Sequence, residues 1–202
     1  MDNTVYKKIY AEPPINKKEI LRYAGVGKDI GELDGLIGEC ISELEGQLFY
    51  KVCYRVFPIY FDGDIVDLGF CTSESRSLKI NLERCEYILL FAATVGMNID
   101  RAIVKYSAVS PAKAFVFQAI GAERIESLCD VFCRDIQVRS SERGFFTRPR
   151  FSAGYGDFAL EYQKEIFAAL DCYRQIGVSL NDSLLMSPTK SVTAIIGMRK
   201  KE

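Results

Sequence analysis

The chain contains no histidine at all. This removes the usual general base near neutral pH, the commonest metal ligand, and any Ser-His or Cys-His nucleophile pair. A Cys-x-x-Cys spacing is also missing. The seven cysteines (Cys40, Cys53, Cys71, Cys85, Cys129, Cys133 and Cys172) are odd in number and irregularly spaced, which speaks against a zinc ribbon or a disulfide scaffold. Scattered free thiols fit a reducing compartment, so a cytoplasmic protein is expected. The net charge is only −1, so there is no global basic field for nucleic acid and no polybasic membrane signal. No uninterrupted apolar run approaches membrane-spanning length. The polar start, Met1-Asp2-Asn3-Thr4, leads to Lys7-Lys8 without an apolar signal core. Neither nucleic acid nor a membrane is expected as a partner. Any chemistry falls to carboxylates, Tyr, Lys, Arg or Cys, or to a ligand or partner.

What is present is the composition of an ordinary globular chain: 202 residues, 49% hydrophobic and 26% charged, enough to bury a core within one domain. Residues 1–14 read as an extended leading segment ending at Pro13-Pro14. Asn16 suits the cap of a helix through Tyr23, stopped near Gly25 and Gly27. A second helix is expected from about Ile30 to Leu48. Tyr50–Tyr60 is rich in β-branched and aromatic residues and predicts a strand, turned at Asp62-Gly63 into a second strand over Ile65–Cys71. A short helix is expected over Ser73–Arg84. Glu86–Gly96 is a continuous apolar run, the signature of a strand buried on both faces. After a turn or two of helix over 100–107, a long helix follows Pro111 and runs through Ile136. Cys129 and Cys133, four apart, share one face of it and read as small core filling. Residues 139–159 read as the longest loop, Leu160–Ile176 as one periodic helix, and 184–196 as a closing hairpin with its turn at Ser187–Lys190. No repeat, low-complexity tract or linker interrupts 1–202. The order predicts a single α+β domain: a curved, twisted antiparallel sheet flanked by helices.

One stretch inside the long loop stands out: Arg150-Phe-Ser-Ala-Gly-Tyr-Gly-Asp157. Gly154 and Gly156 allow positive φ and close backbone approach. Tyr155 sits between them, Arg150 is a planar donor suited to carboxylates, and Asp157 is placed to cap the helix that follows. From these residues alone two readings stand: a glycine-rich surface loop, or a ligand-binding loop.

A second block lies downstream: Ile176-Gly-Val-Ser-Leu180-Asn-Asp-Ser-Leu-Leu-Met186-Ser-Pro188-Thr-Lys-Ser191-Val192. Together with Arg150-x-x-x-Gly154-Tyr155 it resembles the activation domain of vitamin B12-dependent methionine synthase. That family shows an Arg-x-x-x-Gly-Tyr loop and a later Ile-Gly-x-x-Leu-x-x-Ser-x-x-Met-x-Pro-x-x-Ser-Val block. The resemblance covers about residues 148–197, and the chain looks like a stand-alone form of that domain.

The resemblance implies binding of S-adenosylmethionine. It implies docking on a cobalamin-binding methionine synthase subunit or other corrinoid protein. There an electron from a flavodoxin- or ferredoxin-like donor, with the methyl group of S-adenosylmethionine, restores methylcobalamin on the partner. The chain would then be part of a methyltransferase acting only with its corrinoid partner. An alternative role is a docking module for another corrinoid methyltransferase, with weak or no S-adenosylmethionine binding. By residue, Arg150 matches the arginine that holds the ligand carboxylate. Tyr155 matches a ligand-contacting position, or anchors the loop by packing on the sheet. Gly154 shapes the loop, and Ser152 matches a position whose backbone contacts the ligand. Glu126 matches a helix carboxylate near the ligand's cationic end, or belongs with Asp130 to a solvated helix face. Met186, Pro188, Ser191 and Val192 read as hairpin geometry, and Lys190 as a surface lysine. An acidic contact near the family's start and a tyrosine segment after its last strand have no assigned counterpart here. The adenine and ribose end of the ligand is left without assigned residues.

Overall fold

A computed structural model of the chain describes residues 4–26 and 31–201. The expected helix stop at Gly27 and helix start at Ile30 lie outside the described residues. In chain order the elements are β1 (Tyr6–Tyr10), α1 (Lys17–Tyr23), α2 (Gly31–Leu44), β2 (Tyr50–Pro58), β3 (Tyr60–Asp62), β4 (Ile65–Asp67), β5 (Thr72–Ser73), α3 (Arg76–Asn81) and β6 (Tyr87–Thr94). There follow α4 (Asn98–Ser107), α5 (Pro111–Glu142), β7 (Phe145–Thr147), a 3₁₀ turn (Leu160–Tyr162), α6 (Gln163–Leu170), α7 (Cys172–Ile176), β8 (Ser179–Leu180), β9 (Met186–Ser187) and β10 (Ser191–Lys200).

Side chains on a strand alternate between faces, and here the alternation divides the molecule into two cores. Along β6, Leu89, Phe91 and Ala93 enter one core, while Ile88, Leu90 and Ala92 enter the other. β10 does the same, with Ala194, Ile196 and Met198 on the first side and Ile195 on the second. The first core is covered by α1, α2, α4 and α5, the second by α3, α6 and α7. The sheet between them has five strands in the order β1-β2-β6-β10-β7, every neighbouring pair antiparallel. It is strongly curled and flanked by helices, as the sequence predicts.

Several expectations hold in detail. The Asn16 side chain accepts from Glu19 N–H at the start of α1, Pro111 opens α5, and β3 and β4 form the hairpin around Asp62-Gly63. Others are corrected. The leading segment contains an edge strand, β1, whose Tyr6 stacks on Tyr54 of β2 at 5.5 Å. The supposed loop 139–159 is shorter, because α5 continues to Glu142 and β7 follows. The helix over 160–176 is broken at Asp171, which takes a left-handed conformation (φ 46°) between α6 and α7. The closing hairpin does not exist: β9 pairs with β8, and β10 with β6 and β7. A hairpin period was visible in 184–196, but the apolar content of β10 gains more from central burial between two strands than from local pairing.

α5 packs against α4 at Gly121. A Cβ there would stand 2.7 Å from Ile99 Cγ2 and 2.8 Å from Lys190 Cε. Lys190 is therefore no free surface lysine: its stem crosses Gly121 and its Nζ donates to Gln118 Oε1 at 2.6 Å. Burial lowers its pKa. Ile99 is fully buried and cannot retreat, so Gly121→Ala is expected to cost about 1–3 kcal/mol through overpacking. Urea denaturation reads this directly, and an unchanged midpoint would show that α4 and α5 are not held as described.

Candidate functional site

The loop that carries the sequence motif is tied to the sheet edge. Arg148 N–H donates to Gly197 O at 2.8 Å. Phe151 and Ile195 exchange two backbone hydrogen bonds, each 2.8 Å. Residues 145–151 thus run beside β10, and alternation sends Phe151 toward the second core and Arg150 toward α5.

Arg150 meets Glu126 there. The guanidinium donates to the Glu126 carboxylate through Nη2, and Asp130 Oδ1 lies 3.8 Å from the same nitrogen. Glu126 and Asp130 are one helical turn apart and share a face of α5. All three remain reachable: the side chains are 27%, 37% and 59% exposed for Arg150, Glu126 and Asp130. A hollow of about 430 Å³ opens beside them, with Cys133, Arg134, Gln137 and Ile196 in its walls. A second, of about 660 Å³, lies against the Pro13–Lys18 segment. The two share Asp130 and Arg134. Burial pushes the Cys133 thiol up to about 11, so it is neutral near pH 7. The hollow's chemistry is ionic: a fixed planar cation with carboxylates at its side.

The remaining motif residues lie on the turn beyond Phe151. Tyr155 N–H donates to Ser152 O at 3.2 Å and Gly154 N–H to Phe158 O at 2.7 Å. Gly154 has φ 93°, a conformation that favours glycine. The exposed Tyr155 ring packs edge-on against Phe151, centroids 6.1 Å apart. The structure therefore brings Arg150 and Glu126 together, and sets Ser152, Gly154 and Tyr155 on the turn beyond Phe151, with the Tyr155 ring against Phe151. Asp130 and Arg134 were not among the expected site residues. Their signal was present, since 126, 130 and 134 repeat at a four-residue helical spacing.

Asp157 does not cap the helix that follows it. Its carboxylate accepts from Ser75 Oγ (2.6 Å), Arg76 N (2.8 Å) and Ser77 N (3.0 Å) at the start of α3. At the other end of α3, Arg148 Nε donates to Asn81 O at 2.8 Å. An anion at the amino end and a cation at the carboxyl end both suit the helix dipole, so α3 holds the loop at its two ends.

The three donors, Ser75 first, hold the Asp157 carboxyl well below the usual carboxylate range. A depressed folded-state pKa gives stability that is present above the unfolded value, about 3.9, and is lost as pH falls through the folded one. Asp157→Asn is thus expected to be less stable than wild type at pH 7, with the gap closing once pH drops below about 4. Denaturation of both proteins across that range measures it, and a gap independent of pH would contradict this role.

No family model matches the sequence, and no curated protein matches it. Among solved structures the chain is similar to a crystal structure of the MetH reactivation domain bound to AdoHcy: 14% identity, TM-score 0.69, covering 98% of this chain and 79% of that one. This likeness establishes the fold: a methionine synthase activation-domain-like curled antiparallel sheet flanked by helices.

Proposed function

We propose that the chain binds S-adenosylmethionine in the hollow beside Arg150 and serves as one reactivation module, a subunit of a split cobalamin-dependent methionine synthase. The observation that carries this reading is the ion pair of Arg150 with Glu126, formed where Arg150 and Asp130 wall an open hollow. An amino acid presents a carboxylate and an ammonium a few ångströms apart. Arg150 suits the first and Glu126, with Asp130 beside it, the second. The AdoHcy-bound neighbour of like fold supports the same ligand class. Glu126 occupies part of the Arg150 fork. The ligand carboxylate would take that place, releasing Glu126 for the ammonium. The cobalamin belongs to the partner, and the electron to a flavodoxin- or ferredoxin-like donor. The ligand would supply a methyl sulfonium: its methyl would pass to the partner's cobalt once the donor's electron has reduced it, leaving the neutral thioether of AdoHcy. This chain's part is to hold the ligand by its amino-acid end.

The second reading, a docking module for another corrinoid methyltransferase with weak or no ligand binding, draws on one observation. The Arg150 fork already has a carboxylate partner in Glu126.

Calorimetric titration with S-adenosylmethionine tests both. Wild type is expected to bind, and Arg150→Ala to bind at least about tenfold more weakly, since charge-assisted hydrogen bonds contribute about 1.5–3 kcal/mol. Equal affinity of the two proteins would remove Arg150 from the site. No heat with wild type, together with capture of a cobalamin-loaded partner, would select the docking reading.

A further inference from the structure

A third hollow lies on the other flank of α5, away from Arg150. It measures about 300 Å³ and is walled by Tyr54 and Val56 of β2, Tyr87 and Leu89 of β6, Met198 of β10, Phe145 of β7, and Ile136, Arg139, Ser140 and Arg143 at the end of α5. Its floor is dry, because Leu89, Ile136 and Met198 are buried. Its sides are aromatic: Phe145 stands edge-on to Tyr87 at 5.7 Å. Two cations stand with them. Arg139 is engaged, donating to Asp135 Oδ1 at 3.0 Å. Arg143 is exposed and has no carboxylate partner among the described residues. The buried Ser140 hydroxyl donates to a thioether, Met198 Sδ at 3.6 Å.

From this we infer that the hollow is a binding site for an aromatic carboxylic acid, with the ring between Tyr87, Phe145 and Met198 and the carboxylate on Arg143. A cavity of about 150 Å³ holds a benzene, so twice that volume takes a bicyclic ring. Ring edges and a thioether sulfur favour an aromatic guest over an alkyl chain. A guanidinium without an internal partner favours an anion at the mouth. The hollow shares no lining residue with the one beside Arg150.

The chain has no tryptophan, so the fluorescence of a bound naphthalene can be read without interference from protein indole. Titration of the full chain with 2-naphthoate is expected to saturate at one site per chain. Exposed Arg143→Gln should weaken binding about tenfold or more. Val56→Phe, at a partly exposed wall position, should block it by filling the hollow without adding an indole, and Arg150→Ala should leave it unchanged. The neutral 2-naphthol should bind much more weakly than 2-naphthoate. Circular dichroism confirms that each variant is folded, and Arg143→Gln alone is decisive because its side chain is exposed at the mouth. Absence of saturation by roughly millimolar probe, equal binding by Arg143→Gln, or equal binding of 2-naphthol would each overturn the assignment.

Discussion

Burial of β6 and β10 on both faces is the constraint from which the other placements follow. Leu89, Phe91 and Ala93 alternate with Ile88, Leu90 and Ala92 along β6, and each set needs its own cover. The long helix α5 covers one face, with Phe132 packed on Phe91 at 4.8 Å between ring centroids. The short helices α3, α6 and α7 cover the other. Because α5 lies along one face, its polar positions 126 and 130 come to the sheet edge where the chain passes as residues 145–151. A carboxylate pair and an arginine far apart in sequence are thereby brought together.

The arginine is held in place by backbone rather than by its own side chain. Arg148 and Phe151 are hydrogen-bonded to β10 on either side of it. The loop around it is strapped to α3, with Asp157 at the amino end and Arg148 at the carboxyl end. Gly156 permits the contact, since a Cβ there would stand 2.5 Å from Ser77 Oγ. A guanidinium on a fixed strand loses little freedom when it forms bonds, which is the condition for holding a ligand firmly. The same helix end that serves this cleft on one flank walls the aromatic hollow on the other, so α5 separates an ionic site from an apolar one.

Much of this was legible in the sequence. The run 86–96 announced a strand without a solvent face, Pro111 announced the start of the long helix, and Arg150 with Gly154-Tyr155 announced the loop. Illegible parts share a cause: they depend on partners distant in sequence. Asp157 sits before a helical pattern but bonds to α3, some eighty residues earlier. Residues 191–200 look like half of a hairpin and instead pair with β6, about a hundred residues earlier. Tyr155 follows Arg150 in the motif, yet the turn after Phe151 lays its ring against Phe151. Asp130 followed from helical spacing, but only the fold shows that its face meets Arg150.

The central claim is that Arg150 is the anchor for an amino-acid carboxylate and Glu126 its counter-charge. A crystal structure of the chain grown with AdoHcy tests it most directly. The account predicts the ligand carboxylate on the Arg150 guanidinium, with its ammonium at Glu126 or Asp130. Ligand bound elsewhere on the molecule, with the Arg150–Glu126 ion pair intact, would contradict it.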